Sequence, residues 1–268
     1  MTEALLSTTS LTNPCERFGI KHLSASHLNK AQASLAAWFV SYIEKYYEPT
    51  NAAMARGTCV EHGVGAALKA AAEDEFIDIG EFALEAAIKE FNKKTALGVD
   101  QEKRDKELKA IPGYVEQTLE AMKPYGTPSG YQEKISIELE GVPVPIIGYT
   151  DFTFDDVGKI PDLKTTGRLP SAIPAPHKRQ GAIYQAAKSN HAIEFMYATP
   201  KKHAVYTLEP EDAKQSLEEV RQIAMRLVRF MDQFETKEEM AKVIIPDYDS
   251  FYFNGAGFRA KAREVFGY

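Results

Sequence analysis

Four breakers at alternate positions, Pro124, Gly126, Pro128 and Gly130, divide the chain into parts with different hydrophobic periods. Before them apolar residues recur at helical spacing; beyond them apolar and polar residues alternate as in strands. A helical first part followed by strands interleaved with helices implies an α/β fold, with a central mixed sheet flanked by helices.

In the first part, Ser24 and Ser26 stand where they could cap a helix running to about Tyr46, with Leu28, Ala31, Leu35, Trp38, Phe39 and Tyr42 as its apolar stripe. The stretch 48–51 reads as a break. Further helices are expected over 57–73 and 79–91, and from the charge-rich run 93–109 to about Met122. The run 101–109 reads as a solvated helix face, with a mobile arch as the other reading. In the second part, strands are expected over 134–140, 144–154 and 159–164, joined by hairpin turns at 140–141 and 155–158. A proline-spaced loop, a helix over 177–189, strands over 193–198 and 203–208 and a long amphipathic helix over 211–234 follow. The aromatic segment 248–268 reads as a packed terminal element. The whole is expected to be one domain: a leader to residue 23, a helical part over 24–125, sheet and catalytic core over 131–208, and a C-terminal helix and tail over 209–268.

A formal charge of -6 over 268 residues excludes a protein that coats nucleic acid by bulk charge, but it allows a local basic groove. Lys159, Lys164, Arg168, Lys178, Arg179, Lys188, Lys201 and Lys202 face only Asp162 and Glu194 between 159 and 203, a surplus of six positive charges on an otherwise acidic chain. A polyanion partner would be met there. Cys15 and Cys59 are the only cysteines, too few for a cysteine-only zinc site, and a reducing cytosol is expected. No signal-like apolar region or run of about 18 apolar residues occurs, so neither export nor membrane insertion is expected.

The chemistry concentrates in Gly148-Tyr149-Thr150-Asp151, Pro161-Asp162-Leu163-Lys164, and Gln180 with Tyr184. On adjacent antiparallel strands, Asp151 and Asp162 would project from one sheet face and converge on a hard cation such as magnesium or manganese. Alternation puts Asp162 and Lys164 on the same face and Leu163 on the other. The ion would polarise a phosphate oxygen and acidify a bound water, while Lys164 would orient that water or offset developing charge. Acid-x-Lys also occurs at Glu107 with Lys109, Asp212 with Lys214 and Glu235 with Lys237, but only 162–164 follows a hairpin that already carries another acid.

This arrangement resembles the PD-(D/E)XK nuclease superfamily, in particular the RecB-type domains shared with CRISPR adaptation nucleases and phage exonucleases, over about 24–197. The resemblance implies a restriction-endonuclease-like core behind an N-terminal helical region. The family's helical Gly-x-x-x-(His or Glu) element is matched by Gly57-Thr58-Cys59-Val60-Glu61, followed by His62. Glu61 shares its helical stripe with Val64, Gly65 and Leu68 and is the expected third ligand; His62 is the runner-up. The backbone carbonyl of Leu163 completes the implied ligand set. Gln180-Gly181-Ala182-Ile183-Tyr184 matches the family's Gln-x-x-x-Tyr element, whose pair can hold substrate backbone, hold the sheet acids, or simply pack. Lys178, Arg179 and Arg168 are the expected phosphate contacts, and Pro161 is expected to tune the strand edge. Two cysteines cannot supply the four-cysteine iron-sulfur set of some members. His177, His191 and His203 show no metal spacing and read as structural, and Trp38, Tyr42, Tyr46 and Tyr47 read as packing residues.

The resemblance implies a magnesium- or manganese-dependent deoxyribonuclease, an exonuclease rather than an endonuclease, acting in recombination, repair or phage DNA processing in a bacterial or phage-infected cytosol. DNA is the expected partner, with a helicase or a single-strand-binding or annealing protein beside it, because the chain has no Walker A motif of its own. The alternative, from another class, is a non-catalytic DNA-binding or assembly module of a helicase or recombination complex.

Overall fold

The long helices of the first part start where a short polar side chain accepts from the helix's own first turn. Asn51 accepts from the Met54 N–H at 2.9 Å, Asp78 from Glu81 at 2.9 Å and Asp100 from Lys103 at 2.9 Å. The computed structural model describes residues 13–267. Their order is α1 (Pro14–Arg17), α2 (Ala25–Ala33), α3 (Leu35–Trp38), a π-helical turn (Phe39–Ile43), α4 (Ala52–Glu73), α5 (Ile79–Lys94), α6 (Gln101–Met122), β1 (Gly130–Ile137), β2 (Ile146–Thr153), β3 (Lys159–Thr165), α7 (Ala175–Ala187), β4 (Ala192–Ala198), β5 (His203–Thr207), α8 (Pro210–Met231), α9 (Lys237–Val243) and α10 (Ala256–Phe266). The expected leader up to residue 12 lies outside the described residues. Among those described, no helix is long and apolar enough to cross a membrane.

The fold is mixed α/β, as the change of period implies. The single helix expected from Ser24 to Tyr46 is instead broken. Ser24 caps α2 through the His27 N–H, and Ser26 lies inside that helix. Ser34 then takes an extended conformation (φ -159°, ψ 102°), and its hydroxyl accepts from the Ala37 N–H to start α3. A serine competing for backbone donors can restart a helix where apolar periodicity alone runs straight through. The helix expected from Gly57 begins five residues earlier, because Asn51, read as part of a break, is its cap.

The three strands expected as consecutive neighbours divide between two sheets, β1 with β2, and β3, β4 and β5 in that order. β3 runs parallel to β4, with Asp162 opposite Phe195 and Lys164 opposite Tyr197, and β4 runs antiparallel to β5. Between β2 and β3 a single bridge, Phe154 to Lys159, closes the turn at Gly158, whose φ of +61° suits glycine. The hairpin argument for the two aspartates therefore fails in its geometry: the strands part beyond this bridge, and a side chain connects them instead.

By contact the described residues form two compact units, 48–137 with 147–220, and 13–47 with 138–146 and 221–267. The first has a core of Val60, Val64, Phe91, Ile111, Phe152, Phe154 and Met196, all fully or almost fully buried. In the second, Leu23 bridges to Ile146, and Trp38, Phe39 and Phe253 are buried. Phe253 packs on Phe258 in the aromatic C-terminal segment, while Phe251 is 82% exposed.

Candidate active site

Glu61 reaches the site because α4 lies close against the end of β3. One turn before it, a Cβ on Gly57 would stand 3.1 Å from the Thr165 hydroxyl, so a glycine lets helix and strand approach. At i+4 from Gly57, Glu61 shares that side of the helix. Its carboxylate accepts from the Gln132 side-chain amide on β1, the one hydrogen bond it makes among the described residues. His62, the runner-up ligand, is exposed.

Asp151 is buried on β2, and its Oδ2 accepts from the Leu163 N–H at 2.8 Å. This bond replaces the missing ladder between β2 and β3. In an extended strand the N–H and C=O of one residue point the same way, so the Leu163 carbonyl also faces the Asp151 side. Asp162 is fully buried. Its Oδ1 accepts from Gln180 Nε2 at 2.9 Å, and its Oδ2 meets the Lys164 ammonium. Gln180 Nε2 gives its other proton to the Tyr184 hydroxyl at 2.6 Å, and Tyr184 donates in turn to the Tyr149 carbonyl at 2.6 Å. A Cβ on Gly148 would come within 2.9 Å of the Tyr184 ring, so glycine there lets the ring lie against β2. Gln180 thus holds one sheet acid, while Tyr184 ties Gln180 to the β2 backbone.

Three carboxylates share this space with one ammonium. Burial, then the charge of Asp162, pushes the Glu61 carboxyl up to about 7, against the opposing pull of the Gln132 amide and Lys164. Burial raises Asp151 well above the usual carboxylate range, with Asp162 and Glu61 adding to it. For Lys164, burial acts downward, but the charges of Asp162, Asp151 and Glu61 outweigh it and the net shift is upward.

Among the described residues, no three of His, Cys, Asp and Glu are grouped so as to hold a metal ion as they stand. The donor set nevertheless fits a hard divalent cation. Its candidate donors are oxygens, its two aspartates are buried beside each other, and Asp162 Oδ2 accepts no hydrogen bond, with only an ammonium beside it. An incoming cation would replace Lys164 as the partner of that oxygen.

The expected phosphate contacts are placed differently from the acids. Lys178 pairs with Asp212 at 2.7 Å, and buried Arg179 pairs with Glu219 at 3.3 Å, because helical phase turns them toward α8 while Gln180 faces β3. Lys159 pairs with Glu194 and Lys188 with Glu133, so four of the eight basic residues meet acids from outside the linear stretch or across the sheet. Arg168 is exposed on the loop after β3.

Two neighbours of the site were not assigned to it from the sequence. His177, read as structural, stacks on Phe195 and Tyr197, and its Nδ1 lies 2.7 Å from the Tyr197 hydroxyl. Burial, then the Lys164 charge, pulls its imidazole down to about 4, so it is neutral at physiological pH. Its spacing of i+3 to Gln180 was a usable signal. Gln132 gave none: its role depends on a φ of +52°, which no spelling around it announces.

A helix-borne glutamate, two strand-borne aspartates and a lysine two residues beyond the second thus lie on a mixed α/β fold. The family model of the PD-(D/E)XK nuclease superfamily matches residues 22–245, and the chain belongs to that superfamily. Its members generally use divalent metal ions. No curated protein matches the chain. Among solved structures, one titled "Crystal structure of SSO0001" is similar at 13% identity and a TM-score of 0.36, over 86% of this chain and 94% of that one.

Proposed function

We infer that the protein is a magnesium- or manganese-dependent deoxyribonuclease, with exonuclease action as the leading mode. The observation that carries this reading is the set of two buried aspartates and a half-buried glutamate, mutually repelling, beside Lys164. A structural site would pair such acids off; a phosphodiesterase uses them to hold a cation against phosphate. Glu61, Asp151, Asp162 and the Leu163 carbonyl would hold one or two ions, which supply Lewis-acid polarisation of the phosphate and acidify water. Lys164, displaced from Asp162 by the ion, orients the attacking water and offsets the charge that develops on phosphorus oxygens. Gln180 and Tyr184 fix Asp162 and the β2 backbone. In the reaction, the water oxygen bonds to phosphorus, one P–O ester bond breaks, and the leaving oxygen takes up a proton. Arg168 is exposed for a backbone phosphate, while Lys178 and Arg179 reach DNA only by leaving their acids on α8. The exonuclease preference, a place in recombination, repair or phage DNA processing, a cytoplasmic setting, and a helicase or annealing partner rest on the RecB-type resemblance.

The test is incubation of linear DNA with magnesium or manganese, comparing the parent with Asp162→Ala. Digestion by the parent alone supports a nuclease; equal digestion by both, or by neither, favours the DNA-binding or assembly module. A time course on end-labelled DNA then separates exonuclease from endonuclease, since terminal label is released as mononucleotides at once only in the first case.

A further inference from the structure

We propose that Gln132 is a positioning residue that holds the Glu61 carboxylate in its cation-binding orientation, and that its strained backbone is kept for this purpose; the proposal rests on the nuclease reading above. Gln132 has a φ of +52°, inside a strand, where a residue with a Cβ is rarely found. Such outliers persist only where the surroundings over-determine them, and both neighbours of Gln132 are anchored. The Tyr131 ring packs on Phe152 with centroids 5.4 Å apart, lies 4.3 Å from the Lys69 ammonium, and occupies the space that a Cβ on Gly65 would need. The Glu133 carboxylate accepts from the Thr153 hydroxyl at 2.5 Å and pairs with Lys188. Between these two fixed points the left-handed turn aims the Gln132 amide at Glu61, and that N–H is the carboxylate's one hydrogen bond among the described residues. One Glu61 oxygen is thereby committed to Gln132, and the other is left to a cation.

A glutamate in mid-helix, held only by its own rotamer, would sample several orientations; a donor from another element removes that freedom before the ion arrives. Glycine at this position relieves the backbone and deletes the donor, so stability and function should move apart. Manganese binding, followed by calorimetry without DNA, is expected to weaken about 10- to 100-fold in Gln132→Gly. The melting temperature of the metal-free variant should hold or rise by about 2 °C. Gln132→Asn, which tolerates the same backbone but is one methylene short, should lose affinity to a similar degree. Because Gln132 acts through Glu61, the double variant Gln132→Gly/Glu61→Gln should bind no more weakly than Glu61→Gln alone. Unchanged affinity in Gln132→Gly and Gln132→Asn, or additive losses in the double variant, would overturn the proposal. If Glu61→Gln and Asp162→Ala also leave manganese binding and cleavage untouched, the nuclease reading fails with it; if they abolish both while the Gln132 variants do nothing, only the role of Gln132 is lost.

Discussion

One strand pair buries carboxylates on both of its faces and treats them in opposite ways. Glu194 on β4 lies opposite Pro161, one residue out of register from Asp162, and so points to the other face. It is almost fully buried, and it accepts from the Tyr125 hydroxyl at 2.6 Å, the Lys159 ammonium at 2.8 Å and the Thr207 hydroxyl at 3.2 Å. Three donors thus serve one acid. Across the sheet, Glu61, Asp151 and Asp162 divide the Gln132 and Gln180 amides, the Leu163 N–H and the Lys164 ammonium among them. Burial of a charge is costly unless it is paired and hydrogen-bonded, so the first arrangement serves the fold and the second leaves an excess of negative charge.

The sharpest way to break this contrast is to remove one acid from each face. Asp162→Asn is expected to lower DNA cleavage about 10³-fold or more. It should change the stability of the metal-free protein little, because relief of repulsion with Asp151 and Glu61 is offset by loss of the ion pair with Lys164. Glu194→Ala is expected to do the reverse. It strands Tyr125 and Lys159 and costs about 2 kcal/mol in urea unfolding, the order expected for hydrogen bonds to a charged group, while cleavage per folded molecule stays at the parent level. Comparable losses of activity from both substitutions would erase the distinction between the faces.

A smaller effect concerns protons. In the folded, metal-free protein Glu61 keeps its proton up to about pH 7, whereas an unfolded carboxyl releases it near 4.5. The folded state then binds more protons between those values, so this group's contribution to stability falls as pH rises from about 4.5 to about 7 and is level above. His27 and His177, pulled down to about 4 mainly by burial, act the other way, since unfolded histidines protonate below about 6.5. Subtracting the melting curve of Glu61→Gln from that of the parent between pH 5 and 8, in chelator, removes the histidine part. The difference should decline toward pH 7 and flatten beyond it, and saturating manganese should abolish the decline. A flat difference in chelator would place Glu61 away from the other acids.

How much of this was legible depends on whether a feature is local. Glu61, Gln180 and Tyr184 stood out through the resemblance to the superfamily's spelling and Asp162 and Lys164 through the strand period, while Asn51, Asp78 and Asp100 are caps of ordinary spelling. The break at Ser34 was missed because an apolar stripe runs through it unchanged. The parting of β2 and β3 was missed because register beyond a tight turn is decided by tertiary partners, here β4 for one strand and β1 for the other. Gln132 was invisible, since a positive φ on a residue other than glycine leaves no mark in the sequence. The basic zone was misjudged for a related reason: a charge count along the chain says nothing of Asp212 and Glu219, which arrive on α8.

That last point yields the smallest prediction and the most direct probe of where DNA lies. Lys178 and Asp212 are both partly exposed, so their pair contributes about 0.5 kcal/mol or less. Lys178→Ala should barely change unfolding, and in the inactive Asp162→Asn background it should leave DNA affinity by fluorescence anisotropy nearly unaltered, because Asp212 already offsets its charge. Arg168→Ala touches an exposed cation on the loop that follows the acid strand. It should weaken binding to all sequences alike and reduce the slope of log affinity against log salt by about one unit. A reduced slope for Lys178→Ala instead would mean that the ion pair opens when DNA binds. The basic zone counted along the chain would then be a groove after all, assembled only when phosphate competes Asp212 away.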